Sequence, residues 1–300
     1  RAKMNPSGFA TKAQRQEAKE AAIARAESEA TDGRFKRLRH YPLLWDAQEG
    51  ILYAGTTSAS VLERLLPLFR ETFDRTLEPI TAGTLAVSLG EGGNSPDGHG
   101  ALVDRINASP RLVLVGKESA EGEPAGSAVA WSNSDPMSLD YLGNEFLLWL
   151  WHAIQNDGDT IKLADGSEAT VMLAKTLALD CPRGENGRDH LTDEVPTRLP
   201  EAFRALQSGK LPRKTGLVIV RHGVQYDLTI QAESFAVSGA NLPKPEDEGL
   251  SAQDVRSARI DALRHLSETI DLLFDAFRLR RTGSDWSGEL GRIRSWLQAA

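Results

Sequence analysis

Apolar residues that recur every three or four positions predict two amphipathic helices. The first runs from Ser58 to Phe73, and the second is a long C-terminal helix over residues 252–281. Thirty residues at 1.5 Å each would span about 45 Å. Its single apolar stripe consists of Leu263, Leu266, Ile270, Leu273 and Phe277. Ser251 and Asp254 have capping-box spacing at its start, and a shorter helix with Trp296 follows it. The helix dipole accounts for three cations in the last turn: Arg278, Arg280 and Arg281.

The helix predicted nearest the start of the chain is polar instead of amphipathic. Thr11 and Gln14 have capping-box spacing, and an Ala-rich charged sequence follows to Ala30, with Gly33 as the stop signal. Ile23 is almost the only large apolar residue in this segment. A helix that is polar nearly all round packs weakly, bridges other parts of a protein or contacts a polyanion.

A further helical segment is apolar on most of its circumference. The sequence SLDYLGNEFLLWLWHAIQNDG carries Trp149 and Trp151 and ends at Asn156-Asp157-Gly158. Tryptophans can stack on nucleic-acid bases, but so apolar a segment favours a covered position in a core. We therefore expect a buried central helix here.

Turn signals between apolar runs predict three β-hairpins. LLWDAQEGILYAG turns at Gln-Glu-Gly, the segment from Ile161 to Asp180 turns at Asp165-Gly166, and LVIV and YDLTIQA flank the third turn. A short helix from Pro200 to Ser208 is ended by Gly209. The Gly-rich stretch from Gly90 to Gly100 is expected to be a flexible loop, and Gly116 to Pro136 is expected to be loop-rich apart from the short SAVAW run.

Together these elements predict an α+β fold, in which antiparallel hairpins and sheets pack with helices. The long C-terminal amphipathic helix and the polar N-terminal helix complete it. We expect three regions: a charged helix with a basic connector (1–40), an α+β region with a flexible Gly-rich loop (41–136), and an α+β region with the Trp-rich helix, hairpins and long helix (137–300).

Composition narrows the class of protein. Of the 300 residues, 40% are hydrophobic and 26% charged, as in a globular protein. The longest apolar stretch, FLLWLW, is far shorter than the ~20 residues that span a bilayer, so no membrane association is expected. A single cysteine, Cys181, excludes an internal disulfide and a zinc site built from thiolates. We expect a cytoplasmic protein.

Charge is distributed unevenly along the chain. The net charge is −7, yet residues 1–40 hold ten Lys or Arg against five Asp or Glu. A second basic run, Lys210 to Arg221, lies in a stretch without an acidic residue between Glu201 and Asp227. Such segregation can form a cationic surface on an acidic protein. The alternative is that these cations belong to ordinary solvated faces.

The stretch LVIVRHG resembles the Arg-His-Gly opening of the histidine phosphatase and phosphoglycerate mutase family. That mechanism requires a second His and further Arg around the same phosphoryl group. Only His265, in the middle of the long helix, follows Gly223. A strand also follows directly, where the family would place a helix. We therefore expect Arg221-His222-Gly223-Val224 to be a hairpin turn, with Gly223 in the left-handed conformation.

Other signs of catalysis are missing from the sequence. The six histidines show no metal-ligand spacing, and neither a Gly-x-Ser-x-Gly elbow nor a His-Glu-x-x-His motif is present. We expect a protein that is not an enzyme, with no catalytic residue, no metal and no cofactor. A phosphoryl hydrolase that uses His222 and Arg221 stays as an alternative.

Several stretches, in the same order, resemble the bacterial recombination-associated RdgC family. They are TKAQRQEAKEAAIARA, PLLWDAQEGILYAGTTS, VLERLLPLFRETF, LGNEFLLWLW and LPEAFRALQSGKLPRK, followed by a hairpin and the long helix. The Trp-rich helix and the Ser-Gly-Lys element are the most specific pieces. The likeness extends, with gaps, from about residue 9 to 280. The strand-rich region that members usually carry before the charged helix is nearly absent from this sequence, which puts ring closure in doubt.

The resemblance implies a DNA-binding protein rather than an enzyme. Members form a dimeric ring whose positively charged hole admits double-stranded DNA with little sequence preference, and they restrain strand exchange by the recombinase. A homodimer associated with the nucleoid is therefore expected. Our candidate DNA contacts are Lys36, Arg37, Arg39, Arg198, Arg204, Lys210, Arg213 and Lys214. A scaffold that binds protein through the polar N-terminal helix is a further alternative.

Overall fold

The computed structural model describes residues 11–31, 39–91, 99–110, 138–181, 187–244 and 249–299. The chain divides into two compact units, residues 1–63 and 64–300. The boundaries expected from the sequence after residues 40 and 136 stay a prediction. The fold is α+β, with helices and antiparallel sheets, and this confirms the predicted fold class.

The helices and strands have these bounds. The helices are α1 (Lys12–Thr31), α2 (Ala59–Phe73), α3 (Ala82–Glu91), α4 (His99–Ala108), α5 (Leu142–Asn156), α6 (Pro200–Gln207), α7 (Ala252–Arg281) and α8 (Trp286–Ala299). The strands are β1 (Leu43–Asp46), β2 (Ile51–Ala54), β3 (Thr160–Lys162), β4 (Glu168–Asp180), β5 (Asp189–Asp193), β6 (Leu211–Arg221), β7 (Val224–Gln231) and β8 (Val237–Asn241).

The first unit contains a capped polar helix and a small hairpin. Thr11 and Gln14 form the predicted capping box, because each side chain accepts a hydrogen bond from the other residue's backbone N–H. None of the residues of α1 is buried. Strands β1 and β2 pair antiparallel around a turn that Gly50 closes at φ +69°. Helix α2 starts in this unit and continues into the second.

The second unit is built on a six-stranded antiparallel sheet. Its order is β3-β4-β6-β7-β8, and β5 pairs with the same edge of β4 as β3 does. Side chains of the inner face are buried, including Val171, Leu173, Leu217, Ile219 and Tyr226. Met172 lies on the opposite, outer face with 42% of its surface exposed. The alternation of buried and exposed positions along β4 follows from the two-residue period of a strand.

Helix α5 lies at the centre of the core of the second unit. Every residue from Leu142 to Ala153 is buried, as the apolar sequence predicts. The helix contacts β6 and β4 of the sheet as well as α3, α7 and α8. It approaches a backbone very closely at Gly143, where an added Cβ would lie 1.9 Å from the carbonyl oxygen of Ala232. A side chain at this position would push the helix off the sheet.

A buried ion pair joins α5 to the end of α7. The Arg281 Nε donates to a Glu145 carboxylate oxygen at 2.7 Å, and the two side chains are 1% and 3% exposed. The guanidinium also lies 5.0 Å from the ring centroid of Trp286. The helix dipole was therefore an incomplete explanation of Arg281. Arg278 instead pairs with Asp275 of the same helix at 2.6 Å.

The predicted helices and hairpins are confirmed wherever the chain is described, including the Ser251–Asp254 capping box of α7. Helices α3 and α4 and strands β5 and β8 were missed. The loop expected over Gly90 to Gly100 was wrong at its ends, which belong to α3 and α4, while residues 92–98 lie outside the described part. The whole of the loop-rich stretch expected from Gly116 to Pro136 lies outside the described part as well. Among the described helices, none has the length and apolar character that crossing a bilayer requires.

Replacing Arg281 by Met should destabilise the protein strongly. The change leaves Glu145 as an uncompensated buried charge, and removing one partner of a buried pair typically costs about 3–5 kcal/mol. Urea unfolding of the Arg281→Met variant measures the loss. Arg256→Met, on an exposed position of the same helix, is the matched control and should change the free energy of unfolding by less than about 0.5 kcal/mol. Equal effects of the two variants would contradict a structural role for the pair.

Replacing Asp271 by Asn should stabilise the protein at neutral pH. Burial, and then the charge of Glu268, raises the pKa of Asp271 to about 6. Because folding raises the pKa of this carboxyl, the free energy of unfolding of the protein falls as the pH rises from about 4 to about 6. The variant should therefore gain up to about 3 kcal/mol at pH 7.5 and nothing at pH 3.5. Unfolding measured at both pH values, with Asp261→Asn as the control, tests this; a gain independent of pH would refute it.

Candidate nucleic-acid interface

The eight candidate DNA contacts fall in different parts of the chain. Arg39 is exposed in the first unit, while Lys36 and Arg37 lie outside the described residues. Arg198 is exposed at the end of a 3₁₀ turn, Pro196–Arg198, and Arg204 is exposed on α6. In the second unit, Lys210 directly precedes β6, and Arg213 and Lys214 lie near the start of that strand.

Lys210 and Arg213 are held by carboxylates. The Lys210 ammonium lies 2.5 Å from Asp189, and its side chain is only 11% exposed. The Arg213 guanidinium contacts Asp180 at 3.0 Å and Glu233 at 3.3 Å, with 25% of the side chain exposed. These carboxylates come from strands and turns that are distant in the sequence. The acid-free stretch around β6 therefore does not remain acid-free in the fold.

Asp180 is shared by two arginines at this end of the sheet. Arg188 contacts the same carboxylate oxygen as Arg213, at 2.9 Å. Burial alone would raise the pKa of Asp180, but the hydrogen bonds from Arg188 and Arg213 outweigh it and hold the pKa below its usual value. The carboxylate thus stays ionised well into acid solution, and it keeps both guanidinium groups in place.

Lys214 differs from its two neighbours because it is exposed on the outer face of the sheet. In the register of the strands it lies opposite Ala178 of β4 and Gln231 of β7, and Ala178 lies opposite His190 of β5. Directly paired residues point to the same face of a sheet. Lys214 therefore stands in a row whose other members are uncharged or histidine.

The rest of the outer face carries both signs of charge. Lys175, which has a left-handed φ of +67° at the irregularity of β4, reaches Asp227 of β7 at 3.5 Å and is 67% exposed. Lys162 of β3 lies opposite Glu168 of β4. Such exposed pairs contribute little to stability and are screened by salt. Their lysines can exchange a carboxylate for a phosphate without a large cost.

The Arg221-His222-Gly223-Val224 segment is the predicted hairpin turn. Arg221 pairs with Val224, and the two central residues have φ of +51° and +76°, as a type I′ turn requires. The expectation for Gly223 is confirmed, and His222 shares the left-handed conformation. The segment therefore closes β6 and β7 as a turn.

Arg221 does not offer its guanidinium to a phosphate. Its side chain is 3% exposed and contacts Asp165 at 2.6 Å and Glu268 at 3.0 Å. It also donates to Ser167 and Thr269. Hydrogen bonds from Ser167, and then from Arg221, lower the pKa of Asp165 to about 2. Two carboxylates thus occupy the group that would have to hold phosphoryl oxygens in a phosphatase.

Two histidines that the sequence separates meet beside this turn. The ring nitrogen Nδ1 of His222 lies 3.4 Å from the ring nitrogen Nε2 of His265. The Tyr226 hydroxyl lies 2.8 Å from the other ring nitrogen of His265, Nδ1. Burial, then the charges of Arg221 and His222, lowers the pKa of His265. Sequence spacing could not reveal this pair, because a hairpin and the middle of α7 supply its two members.

The sequence analysis did not predict a group of potential metal ligands that the structure brings together. His152 at the end of α5 lies with Asp157 and Glu289, and one ligand atom of each is within 4.8 Å of the others. The residues span 137 positions of the chain, so no short motif could indicate them.

Comparison with known proteins does not identify a family: no protein-family model matches the chain, and no curated protein matches it.

Replacing Gly223 by Ala should destabilise the protein by about 1–2 kcal/mol, because Ala is unfavourable in the left-handed conformation. His222→Asn should leave the free energy of unfolding nearly unchanged, because Asn adopts that conformation readily. Thermal or urea unfolding of the two variants measures the difference. A harmless Gly223→Ala change would contradict the turn geometry.

Proposed function

We propose that this protein binds double-stranded DNA with little sequence preference and modulates homologous recombination, as a nucleoid-associated homodimer of ring shape. The resemblance to the RdgC family, from α1 to α7, supports this function. The observation that carries the proposal is the exposed position of Lys214 in the otherwise uncharged row of the outer sheet face. A cation without a carboxylate beside it in its row can approach a phosphate directly.

The local charge at the start of β6 favours an anion. Ion pairs join three cations, Arg188, Lys210 and Arg213, to three carboxylates, Asp180, Asp189 and Glu233, and Lys214 follows Arg213 in β6. One positive charge therefore remains, and Lys214 is the cation of this group that stands apart from the ion pairs. Lys210 and Arg213 hold the end of the sheet together, so their part in DNA binding is to support Lys214; direct contact by them stays a prediction.

Phosphate contacts by exposed side chains explain affinity without sequence readout. Arg39, Arg198, Arg204 and Lys214 are exposed in the described part, and Lys36 and Arg37 are further candidates from the basic connector. Six contacts per chain would give a slope of log affinity against log salt of about −5 on B-DNA. The acidic remainder of the protein keeps DNA away from other surfaces.

Salt-dependent binding of duplex DNA tests the proposal. The full chain should shift duplexes of unrelated sequence with similar affinity at about 50 mM salt, and the affinity should fall steeply toward 200 mM. Fluorescence anisotropy with labelled duplexes measures both dependences. Absence of binding at low salt, or an affinity that salt leaves unchanged, would overturn the proposed function.

Charge reversal at Lys214 tests whether this exposed lysine contacts DNA. Lys214→Glu should weaken binding to all duplexes by about tenfold at 0.1 M salt and should reduce the magnitude of the salt slope by about 1. Lys244→Glu, at an exposed lysine outside the sheet, is the matched control and should leave the slope unchanged. If both variants bind alike, Lys214 does not contact DNA.

A protein-binding scaffold is the second candidate, favoured by the finding that α1 has no buried residue. Deleting residues 1–33 separates the two functions. A DNA-binding protein should keep most of its affinity for duplexes, because Arg198, Arg204 and Lys214 remain. Loss of all DNA binding in this variant would indicate that the deleted residues make the DNA contacts, and it would contradict a binding surface on the outer face of the sheet.

A further inference from the structure

The carboxyl end of α5 and the first turn of α8 bring together three side chains of the metal-ligand type. His152 lies in the last turns of α5, Asp157 is the residue directly after that helix, and Glu289 lies near the start of α8. A ligand atom of each residue is within 4.8 Å of the other two. His152 and Glu289 are 3% and 6% exposed, while Asp157 is exposed to solvent.

Two of these side chains carry buried polar atoms without a partner. His152 Nδ1 and Glu289 Oε1 make no hydrogen bond in the described part of the chain. Buried polar groups are nearly always bonded. Helix α5 follows that rule at the Asn144 amide nitrogen, which donates to the carbonyl of Pro212 and to Glu233, and at Glu145, which binds Arg281. The Asn144 Oδ1 is a buried atom without a hydrogen-bond partner in the described part of the chain. His152 belongs to the same buried run, and its Nδ1 can act as a metal ligand.

The chemistry of the unpartnered atoms indicates what is missing. When the imidazole proton is on Nε2, His152 Nδ1 accepts hydrogen bonds, as the Glu289 carboxylate oxygen does, and in that tautomer neither atom can donate to the other. A cation satisfies both at once. The indole nitrogens of Trp149 and Trp151 are also buried without a partner, but they can only donate and are not ligands.

We propose that His152, Asp157 and Glu289 bind a divalent transition-metal ion of the Zn²⁺ class. Imidazole and carboxylate are both zinc ligands, and three protein ligands leave the fourth position of the ion to solvent. Mg²⁺ and Ca²⁺ fit less well, because they prefer ligand sets made entirely of oxygen. The ion would fasten the end of α5 to α8.

The geometry requires a modest closure around the ion. Tetrahedral bonds of about 2.0 Å place ligand atoms about 3.3 Å apart, so atoms up to 4.8 Å apart must move together. Asp157 can make this movement, because it is exposed and follows the last turn of α5. The partial negative charge at the carboxyl end of that helix also favours a cation.

One further group affects the site. Arg292 is paired with the other carboxylate oxygen of Glu289, Oε2, and its side chain is 57% exposed, so it can turn toward solvent. Burial lowers the pKa of His152 and Arg292 acts in the same direction, against the raising effects of Glu289 and Asp157.

Zn²⁺ titration of the 300-residue chain, stripped with a chelator, tests the proposal. Calorimetry at pH 7.5 should show one tight site per chain, and Zn²⁺ at a hundred times its Kd should raise Tm by about 4 °C. Mg²⁺ at the same concentration should do neither. The absence of binding and of a Tm shift at about 1 mM Zn²⁺ would overturn the proposal.

Variants locate the ion and exclude binding by the other histidines. Asp157→Asn should weaken Zn²⁺ binding at least about tenfold, and because the residue is exposed the variant should fold normally. Asp159→Asn, in the same turn but outside the cluster, is the matched control and should bind as the original chain does. Arg292→Gln should bind Zn²⁺ more tightly, since it removes a competing cation from Glu289. Equal affinities of the Asp157→Asn and Asp159→Asn variants would refute the site.

Discussion

The complete burial of α5 is the constraint on which the second unit depends. From Leu142 to Ala153 no side chain reaches solvent appreciably, so the sheet on one side and helices α3, α7 and α8 must cover it. The polar residues in this run need partners inside the protein. Asn144 finds the backbone of β6, and Glu145 finds Arg281 at the end of α7. These polar contacts fix where the sheet and the long helix meet α5.

The same constraint determines which surface is open. Because α5 packs against the inner face of β4 and β6, their outer face is left with exposed Met172 and Lys214. Lys210 and Arg213 form ion pairs at the end of this sheet, so their charges are neutralised by carboxylates of the fold. The candidate DNA surface is thus smaller and less positive than the count of lysines and arginines in the sequence indicates.

Local sequence patterns predicted the helices and turns that depend on neighbouring residues. They did not predict contacts between residues that are distant in the sequence. The apolar run of α5, the stripe of α7 and the I′ turn at Gly223 were all predictable. The pairing of Lys210 with Asp189 was not, because it requires the register of β5 on β4. The ion pair of Arg281 with Glu145 could not be predicted either, because the two residues are 136 positions apart in the sequence. Helices α3 and α4 were hidden because glycines near their ends suggest loops.

Amide hydrogen exchange along α5 tests the central claim most directly. If this helix organises the second unit, its backbone amides from about Leu147 to Ala153 open only when the whole unit unfolds. Their exchange should then give the same free energy as global unfolding and equal that of the slowest amides in β6. Exchange of the α5 amides that is clearly faster than that of β6 would show that the sheet persists without the helix, and would contradict the account.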